Sequence, residues 1–365
     1  MEVLQASRKA NQQSLAPRLM LNELYLHKAK PKAAFEVSEE AARIAPDDPQ
    51  VRFALGRAYG ANGDFKRAKS LLSSLSRDFP ESPAVHFQLG MLMLRMGEQE
   101  AARTHLQRTL DVQPNHYGAL LAMGELEARQ GNFDKAFALA EQLDKLAPDI
   151  PGPTVLRGDV YAYAGEYDAA VSAYREALKL LPSGRIIMKL HHALNNLGKE
   201  EQAQALLTDW LNDHPDDQTV RLASASIQQS AGNANSAIEH YERILAAAPD
   251  NVVALNNISW LYFEKGDPRA MEYAKRAYDL APRQPAVADT YGWFLVQSDS
   301  VQQGLGILKR AARSAPDMPE IQYHFALALV QAGQSDQARP ILKKMAMAEG
   351  TPSFNEAARQ LLKTL

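Results

Sequence analysis

The chain has 365 residues, 46% of them hydrophobic and 23% charged, with a formal net charge of -3. These proportions exclude wholesale disorder, a basic field for nucleic acid and a polybasic signal for anionic lipid. With no cysteine present, disulfides, thiol nucleophiles and Cys-ligated zinc are excluded too, and no apolar run reaches the roughly 18 residues that a spanning helix needs.

Few aromatics, 7% of the chain, beside abundant alanine and leucine favour helix over sheet. Residues 1–14, MEVLQASRKANQQS, read as the second helix of an incomplete unit. No apolar segment follows Met1, so no signal peptide is expected, and the N-terminus reads as a truncation. From residue 15 onward one pattern recurs. A proline-centred motif returns as IAPDDP, DFPESP, VQPNHY, LAPDIP, LLPSGR, DHPDDQ, AAPDNV, LAPRQP and SAPDMP. Its prolines run from Pro46 through Pro80, Pro114, Pro148, Pro182, Pro215, Pro249 and Pro282 to Pro316, spaced 34, 34, 34, 34, 33, 34, 33 and 34 residues apart. So constant a period is the signature of a repeat array.

Each unit reads as two helices. With Pro49 to Ser82 as positions 1 to 34, Leu55, Gly56 and Tyr59 stand at 7, 8 and 11, Gly63 at 15, Ala68 at 20, Leu72 at 24 and Pro80 at 32. Small residues at 8 and 20 let two antiparallel helices approach. Gly at 15 serves the turn, where positive φ is cheap only for glycine, and Pro at 32 stops the second helix. Four departures follow in chain order. Arg157 takes an apolar position 7, Trp210 stands at position 27 where alanine is usual, Asp299 replaces the turn glycine, and the two 33-residue spacings imply deletions in turns. Local packing or curvature is expected to change at Trp210. The last segment, TPSFNEAARQLLKTL, opens on Thr351 as N-cap with Pro352 at N1, and places Phe354, Ala358, Leu361 and Leu362 on one face. It reads as a capping helix over residues 351–365, closing about ten units over 15–350.

This unit resembles the tetratricopeptide repeat (TPR). The resemblance implies an all-α fold, an α-solenoid in the form of a right-handed superhelix, whose first helices line a concave groove through positions 2, 5, 9, 12 and 13. In this chain those positions hold Glu23, Phe53, Arg57, Phe87, Met91, Arg95, Glu125 and Arg129, then Asp159, Tyr163, Arg185, Met188, His192, Asn195 and Gln229. The last units add Trp260, Phe263, Asp289, Trp293, Val296, Tyr323 and Leu327. Trp260, Trp293 and Tyr323 recur on successive first helices as a candidate aromatic stripe that would anchor a peptide or a glycan, unless the capping helix or closure of the superhelix buries them. A carboxylate clamp of the co-chaperone type would use Arg185 and Lys189, but Leu121, Glu125 and Leu156 occupy its upstream positions, so that mode is not expected.

No catalytic constellation converges: there is no HExxH helix, no GxSxG elbow and no Walker-type loop. GLGILK at Gly304 falls on a second helix, and the sequon NIS at Asn257 falls in a packed helix. His191 and His192 point about 100° apart on a helix, so a surface or groove role is expected of them rather than a metal site. An enzyme, a metal and a cofactor are not expected.

A closer resemblance lies in the C-terminal third, in the blocks ALNN-W-Y, GDPRA-EYA-RAY-LAP, DT-GW-LV and PEI-YH-A-AL. They are similar to the PrsT-type TPR lipoproteins of exosortase (PEP-CTERM) and exopolysaccharide systems of Gram-negative bacteria. That resemblance implies a periplasmic or outer-membrane-associated scaffold for protein partners, held by a lipid anchor that this chain lacks. The alternative is a carbohydrate-binding or regulatory module in which the aromatic stripe grips polysaccharide.

Overall fold

The structure is a computed structural model that describes residues 1–348 and 352–365. It is all-α, 80% helical, with 22 helices and no strand among the described residues: an α-solenoid. Two compact units divide it, Met1–Leu206 and Leu207–Leu365.

The first unit holds α1 (Glu2–Ala10), α2 (Ala16–His27), α3 (Pro31–Ile44), α4 (Pro49–Ala61), α5 (Phe65–Asp78), α6 (Pro83–Met96), α7 (Gln99–Val112), α8 (Tyr117–Arg129), α9 (Phe133–Leu146), α10 (Gly152–Tyr163), α11 (Tyr167–Leu180) and α12 (Gly184–Asn196). The division falls inside α13 (Glu200–Asp213), the helix that carries Trp210. The second unit continues with α14 (Gln218–Ser230), α15 (Ala234–Ala247), α16 (Val252–Glu264), α17 (Arg269–Leu280), α18 (Pro285–Gln297), α19 (Val301–Ser314), α20 (Pro319–Gln331), α21 (Ser335–Met347) and α22 (Pro352–Thr364).

The recurring motif works as punctuation. After several of the helix-ending prolines a short polar side chain caps the next first helix: the Asp48 carboxylate accepts from the amides of Gln50 and Val51, Asp217 from Thr219 and Val220, and Asn251 from Ala254. Such caps satisfy amides that the helix itself cannot, each contributing about 1 kcal/mol. The expected cap Thr351 lies outside the described residues. Position 15 has positive φ in turn after turn, and where glycine is missing the backbone keeps that conformation: Asp299 has φ 61° and Ala29 in the first turn has φ 51°. Of the two one-residue deletions, the first falls in a turn, since only Ser183 separates Pro182 from α12. The second does not: α17 spans 12 residues where α15 and α19 span 14, so a second helix is shortened instead.

Within each unit the core forms where successive first and second helices meet. The position-20 alanines, among them Ala68, Ala102, Ala136 and Ala170, are fully buried. The tightest approach is between α18 and α19, where position 20 is Gly304. A Cβ there would lie 2.5 Å from Gly292 O and 3.0 Å from Val296 N, so only glycine fits. Arg157, the polar residue at an apolar position, is half-buried and accommodated by an ion pair to Asp144 and a 3.0 Å bond to Thr154 Oγ1. Trp210 is half-buried as well, stacked on His214 at 3.7 Å and donating from Nε1 to Asp217 at 2.9 Å.

Candidate functional sites on the first-helix face

First helices contact one another within each unit, α4 with α6 and α8 with α10 in the first, α16 with α18 and α18 with α20 in the second. Their shared face is where the predicted groove residues fall, and its chemistry differs between the two units.

In the first unit, α8, α10 and α12 enclose a cavity of about 280 Å³ with Leu121, Val155 and Ile186 on its apolar lining. Charged groups crowd its rim. Asp159, 7% exposed, accepts bonds from Tyr174 Oη at 2.7 Å and from Lys189 Nζ at 2.6 and 2.8 Å. Burial, then the Asp159 charge, push the Tyr174 hydroxyl far above its ordinary range. Burial also raises the Glu125 carboxyl, and Asp159 raises it further, against the pull of Lys189, Arg129 and Arg185. Arg129 and Arg185 are exposed and make no ion pair among the described residues, and the Tyr163 side chain is 53% exposed beside them. A mixed-charge rim with two exposed guanidinium groups and an open phenol can receive a carboxylate-bearing peptide. His192 is exposed on α12, away from this lining. His191 is a correction: expected at the surface or in the groove, it is buried, and that burial lowers its pKa.

Nearer the N-terminus a more apolar cavity of about 470 Å³ is lined by Leu19, Met20, Phe53 and Phe79, with Glu23 at its edge paired to Arg57. Phe87 is half-buried against His116, ring centroids 4.6 Å apart, and Met91 is half-buried against the cluster of Leu106, Ala119, Ala122 and Met123.

In the second unit the expected aromatic stripe is an interlocked cluster. The indole of Trp293 stacks on the His324 imidazole at 4.6 Å and 9°, and Trp260 stacks on the same imidazole at 5.9 Å. Trp260 Nε1 donates to Thr290 Oγ1 at 2.9 Å. Phe263 stacks on the buried Phe294 at 4.3 Å, and Tyr323 meets Phe354 of α22 at 6.0 Å. All four predicted aromatics are half-buried. Asp289 and Val296, expected to point into an open groove, are corrections. Val296 is 2% exposed because α19 packs against it at Gly304. Asp289 is 3% exposed because its carboxylate turns to His324, with Oδ2 2.8 Å from Nδ1.

Reading positions 2, 5, 9, 12 and 13 missed His324, at position 6; Lys189, at the same position, was named only for a carboxylate clamp. A pattern shared by three repeats would have found them: position 6 bonds back to position 9 or 5 of the preceding repeat. Lys189 does so to Asp159, Thr290 to Trp260 and His324 to Asp289.

Profiles described as tetratricopeptide repeat match residues 25–93 and 60–124, 155–183 and 217–350. The TPR repeat-containing protein PA4667 of Pseudomonas aeruginosa is 24% identical over 103 residues, 28% of this chain and 18% of its own length. The chain therefore spans well under two thirds of that relative. A tetratricopeptide repeat protein from Parabacteroides merdae superposes with a TM-score of 0.52 at 14% identity, over 69% of this chain and 99% of that structure. TTC0263, a TPR protein of Thermus thermophilus, is 23% identical over 49% of this chain and 98% of its own, with a TM-score of 0.44.

Proposed function

We propose, for a chain that belongs to the tetratricopeptide-repeat family, a non-catalytic scaffold that holds a peptide segment of another protein against its first-helix face. The observation that carries this reading is the cavity between α8, α10 and α12, where Arg129 and Arg185 make no ion pair among the described residues beside an exposed Tyr163. Unpaired arginines and an open aromatic at a preformed cavity are what a peptide anchor needs. The C-terminal resemblance supports a place in the bacterial envelope: exopolysaccharide export or PEP-CTERM protein sorting, in the periplasm, with a lipid anchor. The polysaccharide alternative draws less support, since His324 already occupies a face of both Trp260 and Trp293.

The test is affinity capture from envelope extract with the intact chain, followed by reconstitution of each recovered partner with purified protein. An Arg129→Glu/Arg185→Glu variant with unchanged circular dichroism is expected to lose the partner about tenfold or more, in keeping with loss of charge-assisted contacts. Equal binding by the variant would refute the assignment of the site.

A further inference from the structure

The geometry points to a divalent transition-metal site on the second unit, formed by Asp289 of α18 with Glu320 and His324 of α20. Each of the three offers a ligand atom within 4.8 Å of the others. Glu320 and His324 stand four residues apart on one helix, so they project from the same side, and Asp289 reaches them from the adjacent first helix.

A second observation, independent of this convergence, concerns the buried carboxylate. Asp289 is 97% buried by its 3% exposure. One of its oxygens meets His324, while the other, Oδ1, is buried with no hydrogen-bond partner among the described residues. No lysine or arginine pairs with it among the described residues. An unpartnered oxygen on a buried carboxylate is rare in folded proteins, and a cation bound at the cluster would satisfy it.

The surroundings are those of a built site. Stacking on Trp293 and Trp260 holds the His324 ring in one orientation. Glu320 is exposed, which leaves an entrance. One imidazole nitrogen with two carboxylates suits zinc, cobalt or manganese better than calcium or magnesium, which prefer oxygen alone. Ligand bonds of about 2.0–2.1 Å at tetrahedral angles place ligand atoms roughly 3.3 Å apart. The 2.8 Å Asp289–His324 pair then opens by about half an ångström and Glu320 swings inward. On binding, Nδ1 of His324 gives up its proton to solvent and its lone pair goes to the metal, while Nε2 carries the one proton of the neutral ring, taken from solvent if it did not already hold it. Three protein ligands leave a position for water.

The experiment uses the intact chain, stripped with EDTA and dialysed, in three arms. Zinc is titrated by calorimetry, cobalt is followed by visible absorption and tryptophan quenching, and magnesium serves as the hard-ion control. The expected result is one zinc per chain, visible cobalt bands, quenching carried by Trp260 and Trp293 in a Trp210→Phe background, and no response to magnesium. Glu320→Gln, an exposed position that leaves the fold intact, is expected to weaken zinc about tenfold or more, and His324→Ala to abolish the cobalt bands. Less than one equivalent bound to the wild-type chain overturns the proposal. So does zinc affinity unchanged in Glu320→Gln, which would place any bound ion at other histidines.

Discussion

Gly304→Ala and Gly306→Ala make the same chemical change two residues apart on α19, with opposite expected signs. Alanine in a helix interior is favoured over glycine by about 0.8–1.0 kcal/mol. At Gly306 nothing lies within 4 Å of the added methyl, so the full gain is expected. At Gly304 the methyl would sit 2.5 Å from Gly292 O, 2.6 Å from Val296 Cγ2 and 3.0 Å from Val296 N. Two of these neighbours are backbone, so relief requires α18 and α19 to separate by several tenths of an ångström. Overpacking of this kind costs about 1–3 kcal/mol, and with backbone in the way the upper end applies. The net loss is therefore about 2 kcal/mol. Repeat arrays do not unfold as one two-state body, so hydrogen exchange of α18 and α19 amides is the proper assay. Exchange is expected to quicken roughly 30-fold in Gly304→Ala and to slow roughly fivefold in Gly306→Ala. Equal protection in Gly304→Ala and the wild type would show that the two helices are not in backbone contact there.

Ala29, held at φ 51°, carries a left-handed penalty of about 1–2 kcal/mol that glycine relieves at some entropic cost; Ala29→Gly is expected to stabilise the first turn by about 0.5 kcal/mol, read as roughly twofold slower hydrogen exchange of α2 and α3 amides. Phe294 is 1% exposed between Trp260 and Phe263, so Phe294→Ala is expected to cost about 3–5 kcal/mol and to shift tryptophan emission to the red. His105 is held neutral by burial and then by His86, Arg108 and Lys69, its pKa pulled down to about 4. An unfolded histidine titrates near 6.5, so between about pH 6.5 and 4 the unfolded chain binds more protons. Stability is complete above that window and falls through it, towards about one proton taken up on unfolding near pH 5. Urea midpoints measured from about pH 7 to 4 should fall less steeply in His105→Gln.

The repeat was legible because its signals are local: a proline to stop one helix, a short polar residue to cap the next, an alanine where helices touch. The turn at Asp299 shows how strongly the period speaks, since the backbone takes positive φ there even without glycine. The site was less legible because side-chain partnership is decided between repeats. Asp289 carries no mark of facing a histidine 35 residues away, and Trp293 reads as an open anchor until His324 is placed on its face. The cavity rim was half read: Tyr163, Arg185 and Asp159 stood at groove positions, but burial of Glu125 and pairing of Lys189 are properties of three helices together.

The reach of those bonds has a consequence for synthesis. Side-chain contacts between neighbours link residues 30 apart at Lys189–Asp159, 34 at Arg57–Glu23 and 35 at His324–Asp289. A ribosome adding about 5–20 residues per second delivers such a partner within roughly 2–7 seconds. The nascent chain can therefore consolidate one repeat behind the next as it emerges, and its unfinished end exposes little more than a single unpaired helix face at any moment.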